Sequence, residues 1–124
     1  MTIQQAIKEK ILVLDGAMGT MIQAYKFEED DYRGLRFKDY AHPLKGNNDL
    51  LVLTQPKAIE DIHYAFLKAG ADILETNTFN ANSISMKDYH MSNLVDELNT
   101  QAVACARRAI ERYQAAGGQG PKFI

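Results

Sequence analysis

The chain has 124 residues, 46% of them hydrophobic and 24% charged, with a formal net charge of −2 and one cysteine. That length suffices for one domain with its own core, and the mildly acidic balance disfavours nucleic acid as a partner. No apolar run nears the roughly 20 residues of a membrane span and no signal-peptide core opens the chain, while the lone cysteine excludes an internal disulfide and suits a reducing cytoplasm.

In chain order, Thr2 followed by Gln5 has capping-box spacing, and Ile3, Ile7 and Ile11 mark one side of a first helix. Leu12 to Asp15 reads as a short buried strand ending on an acid, and Met18 to Ala24 as a further helix. From Tyr25 to Asn48 periodicity fails, so a long irregular connection is expected, with Glu28-Glu29-Asp30-Asp31 as a solvated loop rather than a metal site. Asn47 to Leu53 is a polar start followed by an apolar run. Pro56 then opens a helix carrying Ile59, Ile62, Ala65, Phe66 and Ala69, which Gly70 ends. Ala71 to Glu75 is a second short strand ending on an acid, and Thr76 to Asn82 a polar loop. A long helix from about Leu94 to Ala116 has Leu94, Leu98, Ala102, Cys105, Ala109 and Tyr113 on one face. Gly117, Gly118 and Gly120 close it, and Pro121 to Ile124 reads as the opening of a third strand.

This alternation predicts an α/β fold with a parallel sheet, built either as part of a (β/α)8 barrel or as an open doubly wound sheet. In both, ligands sit at the carboxyl ends of the strands. Asp15 places a carboxylate at that rim, and Gly16 and Gly19 let a ligand approach the backbone amides of Gly16, Ala17 and Met18. A carboxylate beside free amides can hold both ends of an amino acid; the plainer alternative is a tight strand-to-helix turn. Glu75 is a candidate base with no His or Lys beside it, and hydrogen bonding at the rim is its simpler role. Asn77, Thr78 and Asn80 either contact substrate or cap the next helix. Cys105, on an apolar stripe, is expected to pack in the core, and Met18, Met21, Met86 and Met91 are packing residues. His63 is expected at a surface or interface, and His42 and His90 fall in irregular regions away from other metal-ligand candidates.

Three segments carry a family resemblance: Asp15-Gly16-Ala17-Met18-Gly19-Thr20, Leu44-Lys45-Gly46-Asn47-Asn48-Asp49-Leu50-Leu51, and Gly70-Ala71-Asp72-Ile73-Leu74-Glu75-Thr76-Asn77-Thr78-Phe79. From about Ile11 to Ile124 the chain resembles the start of the homocysteine-binding domain of cobalamin-dependent methionine synthases. The first and third segments are shared by homocysteine S-methyltransferases generally, and the second points more narrowly to the cobalamin enzymes.

The resemblance implies the first three β/α units of a (β/α)8 TIM-type barrel, incomplete and preceded by an extra N-terminal helix, with residues 1–124 as one portion of a homocysteine-binding domain. It implies substrate-binding roles for Asp15, Gly16, Ala17, Met18, Glu75, Asn77 and Thr78. In such enzymes a methyl group passes from methylcobalamin, recharged by methyltetrahydrofolate on other modules, to a homocysteine thiol activated by zinc on three cysteine thiolates. Those thiolates are missing from this sequence, so zinc and cobalamin are expected outside this chain, which alone would be inactive. The alternatives are a homocysteine methyltransferase using betaine or S-methylmethionine as donor, or a non-catalytic piece that self-associates. The unpaired edge of an incomplete sheet favours association between copies.

Overall fold

The computed structural model describes all 124 residues. It contains seven α-helices: α1 (Ile3–Glu9), α2 (Met18–Gln23), α3 (Glu29–Arg33), α4 (Leu51–Thr54), α5 (Pro56–Lys68), α6 (Ser83–Met86) and α7 (Val95–Ala115). Single 3-10 turns at Asn48–Leu50, Lys87–Tyr89 and Ser92–Leu94 lead into or out of these helices.

Local chemistry explains most of the boundaries. The Thr2 hydroxyl accepts from the Gln5 amide while the Gln5 side chain accepts from the Thr2 amide, so α1 starts on a complete capping box. Pro56 occupies the first turn of α5, where its missing N–H costs nothing. Gly70, at φ 111°, ends the following turn in a conformation that side chains resist. Between α2 and α4 the expected irregular connection is only partly irregular. Its acidic run is the first turn of α3, where Glu28 and Asp31 form a reciprocal cap and negative charge suits the helix dipole. Glu29 then pairs with Arg33 and accepts the amides of Leu44 and Lys45, which ties the Gly34–Lys45 excursion to α3.

The expected α/β fold is not what the chain forms. The structure is 56% helix and 2% strand, with no sheet, so there are no β/α units and no portion of a barrel. The three apolar runs are extended and run parallel, but they meet only at two isolated bridges, Leu14 with Ile73 and Ile73 with Phe123. Five backbone bonds join them, too few for continuous ladders: the amides of Asp72 and Ile73 donate to Val13, Asp15 to Ile73, Leu74 to Phe123, and Phe123 to Asp72. The expected two-sided burial of the Leu12–Asp15 run also fails, since Val13 and Leu14 are 53% and 51% exposed. A run of four or five apolar residues sets extended backbone, but a sheet needs a longer register and a covered face.

Side chains compensate for the thin backbone pairing. Asp72, buried on the central run, accepts the Val13 amide at 3.0 Å and Lys10 Nζ at 2.8 Å, with Lys122 Nζ at 3.4 Å. One carboxylate thus joins all three runs. The hydrogen bond from Lys10 is the main force holding the Asp72 carboxyl below the ordinary carboxylate range, with the Val13 amide next.

The core lies among the helices. Ile59 and Ile62 of α5 and Leu98, Ala102 and Cys105 of α7 join Ile22, Tyr32, Leu44, Leu50, Leu51, Met86 and Met91 in one buried cluster. A smaller cluster of Leu67, Leu74, Ala106, Ala109 and Ile110 anchors the central extended run on α7. Cys105 is buried on the expected stripe, and burial pushes its thiol up from the ordinary value. No helix is long and apolar enough to cross a membrane.

Candidate functional site

An open cavity of about 1010 Å³ lies where the ends of the extended runs meet α2, the Gly46–Asp49 turn and the Lys87–Tyr89 turn. All seven sequence-predicted site residues line it: Asp15, Gly16, Ala17, Met18, Glu75, Asn77 and Thr78. Residues 57 or more apart in sequence reach one wall because the Leu12–Asp15 and Ala71–Glu75 runs lie side by side with their carboxyl ends together.

The Asp15–Met18 segment leaves its extended run through Ala17, which adopts a left-handed conformation at φ 49°. A non-glycine residue there costs roughly 1 kcal/mol or more, so local strain sits at the cavity wall. The turn leaves the amides of Gly16, Ala17 and Met18 without any hydrogen-bond acceptor in the protein. A methyl group added at Gly16 or Gly19 would meet no atom within 4 Å, so these glycines border open space rather than a packed wall.

The Asp15 carboxylate lies at the cavity wall and is largely enclosed. Its side chain is only 4% exposed, and Oδ1 accepts the Glu75 amide at 2.9 Å. Burial pushes the Asp15 carboxyl up from its ordinary value, opposed by that amide and reinforced by the charge of Glu75. Glu75 itself is exposed and forms no ion pair. Asn77 is buried, with Nδ2 donating to the Asn48 carbonyl at 2.9 Å, and the Thr76 and Thr78 hydroxyls share a 2.7 Å hydrogen bond. Neither Asn77 nor Thr78 caps the next helix; Asn82 does, through the Ser85 amide.

Sequence reasoning missed part of the opposite wall. Asp49 is buried, and its Oδ2 accepts the Asn80 amide at 2.6 Å, which fixes the Thr76–Asn80 loop. Burial pushes its carboxyl up, opposed by the amides of Asn80 and Phe79. Asn48 accepts from the Tyr32 hydroxyl at 2.8 Å, linking the loop to α3. The Lys-Gly-Asn-Asn-Asp pattern was visible, but only the fold shows that it clamps the rim loop.

His63 was also missed. Instead of lying at a surface or interface it is 0% exposed beneath this wall, with Nδ1 3.9 Å from Asp15 Oδ2 and no hydrogen bond at either ring nitrogen. Its position on the same face of α5 as Ile59, Ile62 and Phe66 was the available signal. Burial alone pulls the imidazole down to about 4, so the ring is neutral at physiological pH.

The lining contains four carboxylates, on Asp15, Asp49, Glu75 and Asp88, and no lysine, arginine or histidine. Such a wall favours the cationic end of a ligand, while the unpaired amides of Gly16, Ala17 and Met18 offer donors to an anionic end. The chain holds no group of three or more His, Cys, Asp or Glu residues disposed to bind a metal ion. Cys105 Sγ faces the Arg108 guanidinium at 3.3 Å within the α5–α7 core, a setting that does not fit a zinc site. The family model for homocysteine S-methyltransferase matches residues 12–124, and the chain belongs to that family.

Proposed function

We propose that these residues form part of the homocysteine-binding domain of a methyltransferase of the cobalamin-dependent methionine synthase type. The observation that carries the substrate reading is the juxtaposition of Asp15 and Glu75 with three unpaired amides across one open cavity. The homocysteine ammonium lies against Asp15, with Glu75 adding negative charge. Its carboxylate takes the amides of Gly16, Ala17 and Met18, and Asn77 and Thr78 border the side chain. Family membership supports homocysteine as the thiol substrate. The Leu44 to Leu51 segment supports the narrower cobalamin-dependent type.

The residues present do not fit zinc, so the thiolates that would activate the substrate thiol, the cobalamin and the methyltetrahydrofolate module are assigned to other parts of a parent enzyme. Within the proposal, this chain grips and orients the amino-acid end of the substrate. Asp15→Asn is expected to weaken homocysteine binding about ten- to hundredfold, the worth of one charge-assisted hydrogen bond. Titration calorimetry beside a denaturant curve tests this, and an unchanged dissociation constant contradicts it.

Self-association is the second element of the proposal, supported by the exposed apolar side chains of Ile11, Val13, Leu14 and Ile124 beside the sparsely paired extended runs. Sedimentation equilibrium is expected to give an average mass that rises with concentration. A monomer mass at every concentration contradicts it.

A further inference from the structure

The most costly unexplained feature of the molecule is the His63 imidazole. It is completely buried, makes no hydrogen bond, and has a carboxylate of the candidate site as its neighbour. An unsatisfied buried polar group in a native fold calls for a role. We propose that His63 is a positioning residue for Asp15: its Nδ1–H is directed at Asp15 Oδ2 and fixes the carboxylate that receives the substrate ammonium. The inference rests on the substrate reading above for the ligand, and on the geometry of the pair for everything else.

The choice of tautomer follows from counting donors and acceptors. With the proton on Nδ1, a donor faces the carboxylate and only an acceptor lone pair is left unmatched on Nε2. With the proton on Nε2, a lone pair would face the carboxylate and an N–H would be buried with no acceptor, which is the more costly arrangement. The 3.9 Å separation is about 1 Å longer than an N–H···O bond, so a small side-chain adjustment closes it. Neutrality matters as well. Burial disfavours the imidazolium, so His63 orients Asp15 without replacing the ligand's cation as its counter-charge.

The consequence is a carboxylate held at both oxygens. Oδ1 takes the Glu75 amide from the neighbouring extended run, and Oδ2 takes His63 from α5 below. Lone pairs remain on each oxygen for the ligand. Asp15 loses rotational freedom before binding rather than during it, the same economy that preorganised sites use generally.

Nitrogen-15 NMR of the imidazoles in the wild-type chain tests the pairing, with His63→Gln identifying the His63 signals among the three histidines. A neutral ring protonated on Nδ1 is expected, with that preference lost in Asp15→Ala. Protonation on Nε2, or a tautomer indifferent to Asp15→Ala, overturns the proposal. Calorimetry with homocysteine tests the positioning role. His63→Phe, which keeps the ring and removes the donor, should weaken binding about tenfold or more, and His63→Gln, which keeps an N–H donor, should recover most of it. Wild-type affinity in a folded His63→Phe chain overturns it. If the wild-type chain shows the Nδ1 tautomer but binds no homocysteine, the substrate assignment fails and the His63–Asp15 pairing stands.

Discussion

Asp72→Ala is expected to remove about 3–5 kcal/mol of folding stability, a large share of the 5–15 kcal/mol typical of a domain. The reason is what the substitution leaves behind. The Lys122 side chain is buried beside Asp72, and its ammonium would keep only the Ala71 carbonyl, at 2.8 Å, and the face of the Tyr113 ring, with no counter-charge. The Val13 amide would lose its acceptor as well, and with it a link to the first extended run. Lys10, by contrast, is largely exposed, so Lys10→Ala should cost no more than about 1 kcal/mol. Urea denaturation of the two variants separates these outcomes. An Asp72→Ala chain within about 1 kcal/mol of wild type would show that the carboxylate does not join the runs. The same residue sets a pH dependence. Its folded-state carboxyl is depressed, so its contribution is complete above the ordinary carboxylate range and is lost as pH falls through the lower, folded-state value.

Leu98→Ala is expected to cost about 2–5 kcal/mol. Leu98 is fully buried on α7, in the cluster shared with α5 and the Leu44–Val52 region, so truncation opens a void in the main core. Leu35, 94% exposed, supplies the control, and Leu35→Ala should change stability by less than about 0.5 kcal/mol. Equal effects at the two positions would mean that α7 is not the element on which the core is built.

The sequence made the helices with strong local signals legible. The capping box of α1, Pro56 at the start of α5 and the long apolar stripe of α7 are local, periodic features, and the structure keeps each within a residue or two of its expected place. The extended backbone of Leu12–Asp15 and Ala71–Glu75 was legible too, and so was the shared direction of their carboxyl ends. Their pairing was not. Whether an apolar run becomes part of a sheet depends on register length and on what covers its faces, and neither is written in four residues. The short helices were missed for a related reason. α3, α4 and α6 are four or five residues long, below any periodic signal, and rest on caps and tertiary contacts.

Legibility at the site divided in the same way. Asp15, Gly16, Ala17, Met18 and Glu75 stood out because acids and glycines close apolar runs, Asn77 and Thr78 because they lie in the polar loop that follows, and the fold gathers all seven around one cavity. Asp49 and His63 did not stand out, because their roles come from what they touch. Asp49 is distinguished by the Asn80 amide 31 residues away, and His63 by the carboxylate of Asp15. A polar residue on an apolar helix face is the one sequence sign that could have marked His63 as buried.

The central claim is that homocysteine binds at the Asp15–Met18 turn, and amide NMR of the nitrogen-15-labelled chain titrated with homocysteine tests it most directly. The account predicts saturable shifts concentrated at the amides of Gly16, Ala17 and Met18, with further shifts at Glu75, Asn77 and Thr78. Methionine, which carries the same ammonium and carboxylate, should shift the first three similarly. Saturable shifts centred elsewhere, or no shift at Gly16, Ala17 and Met18 when ligand is in large excess, would contradict it.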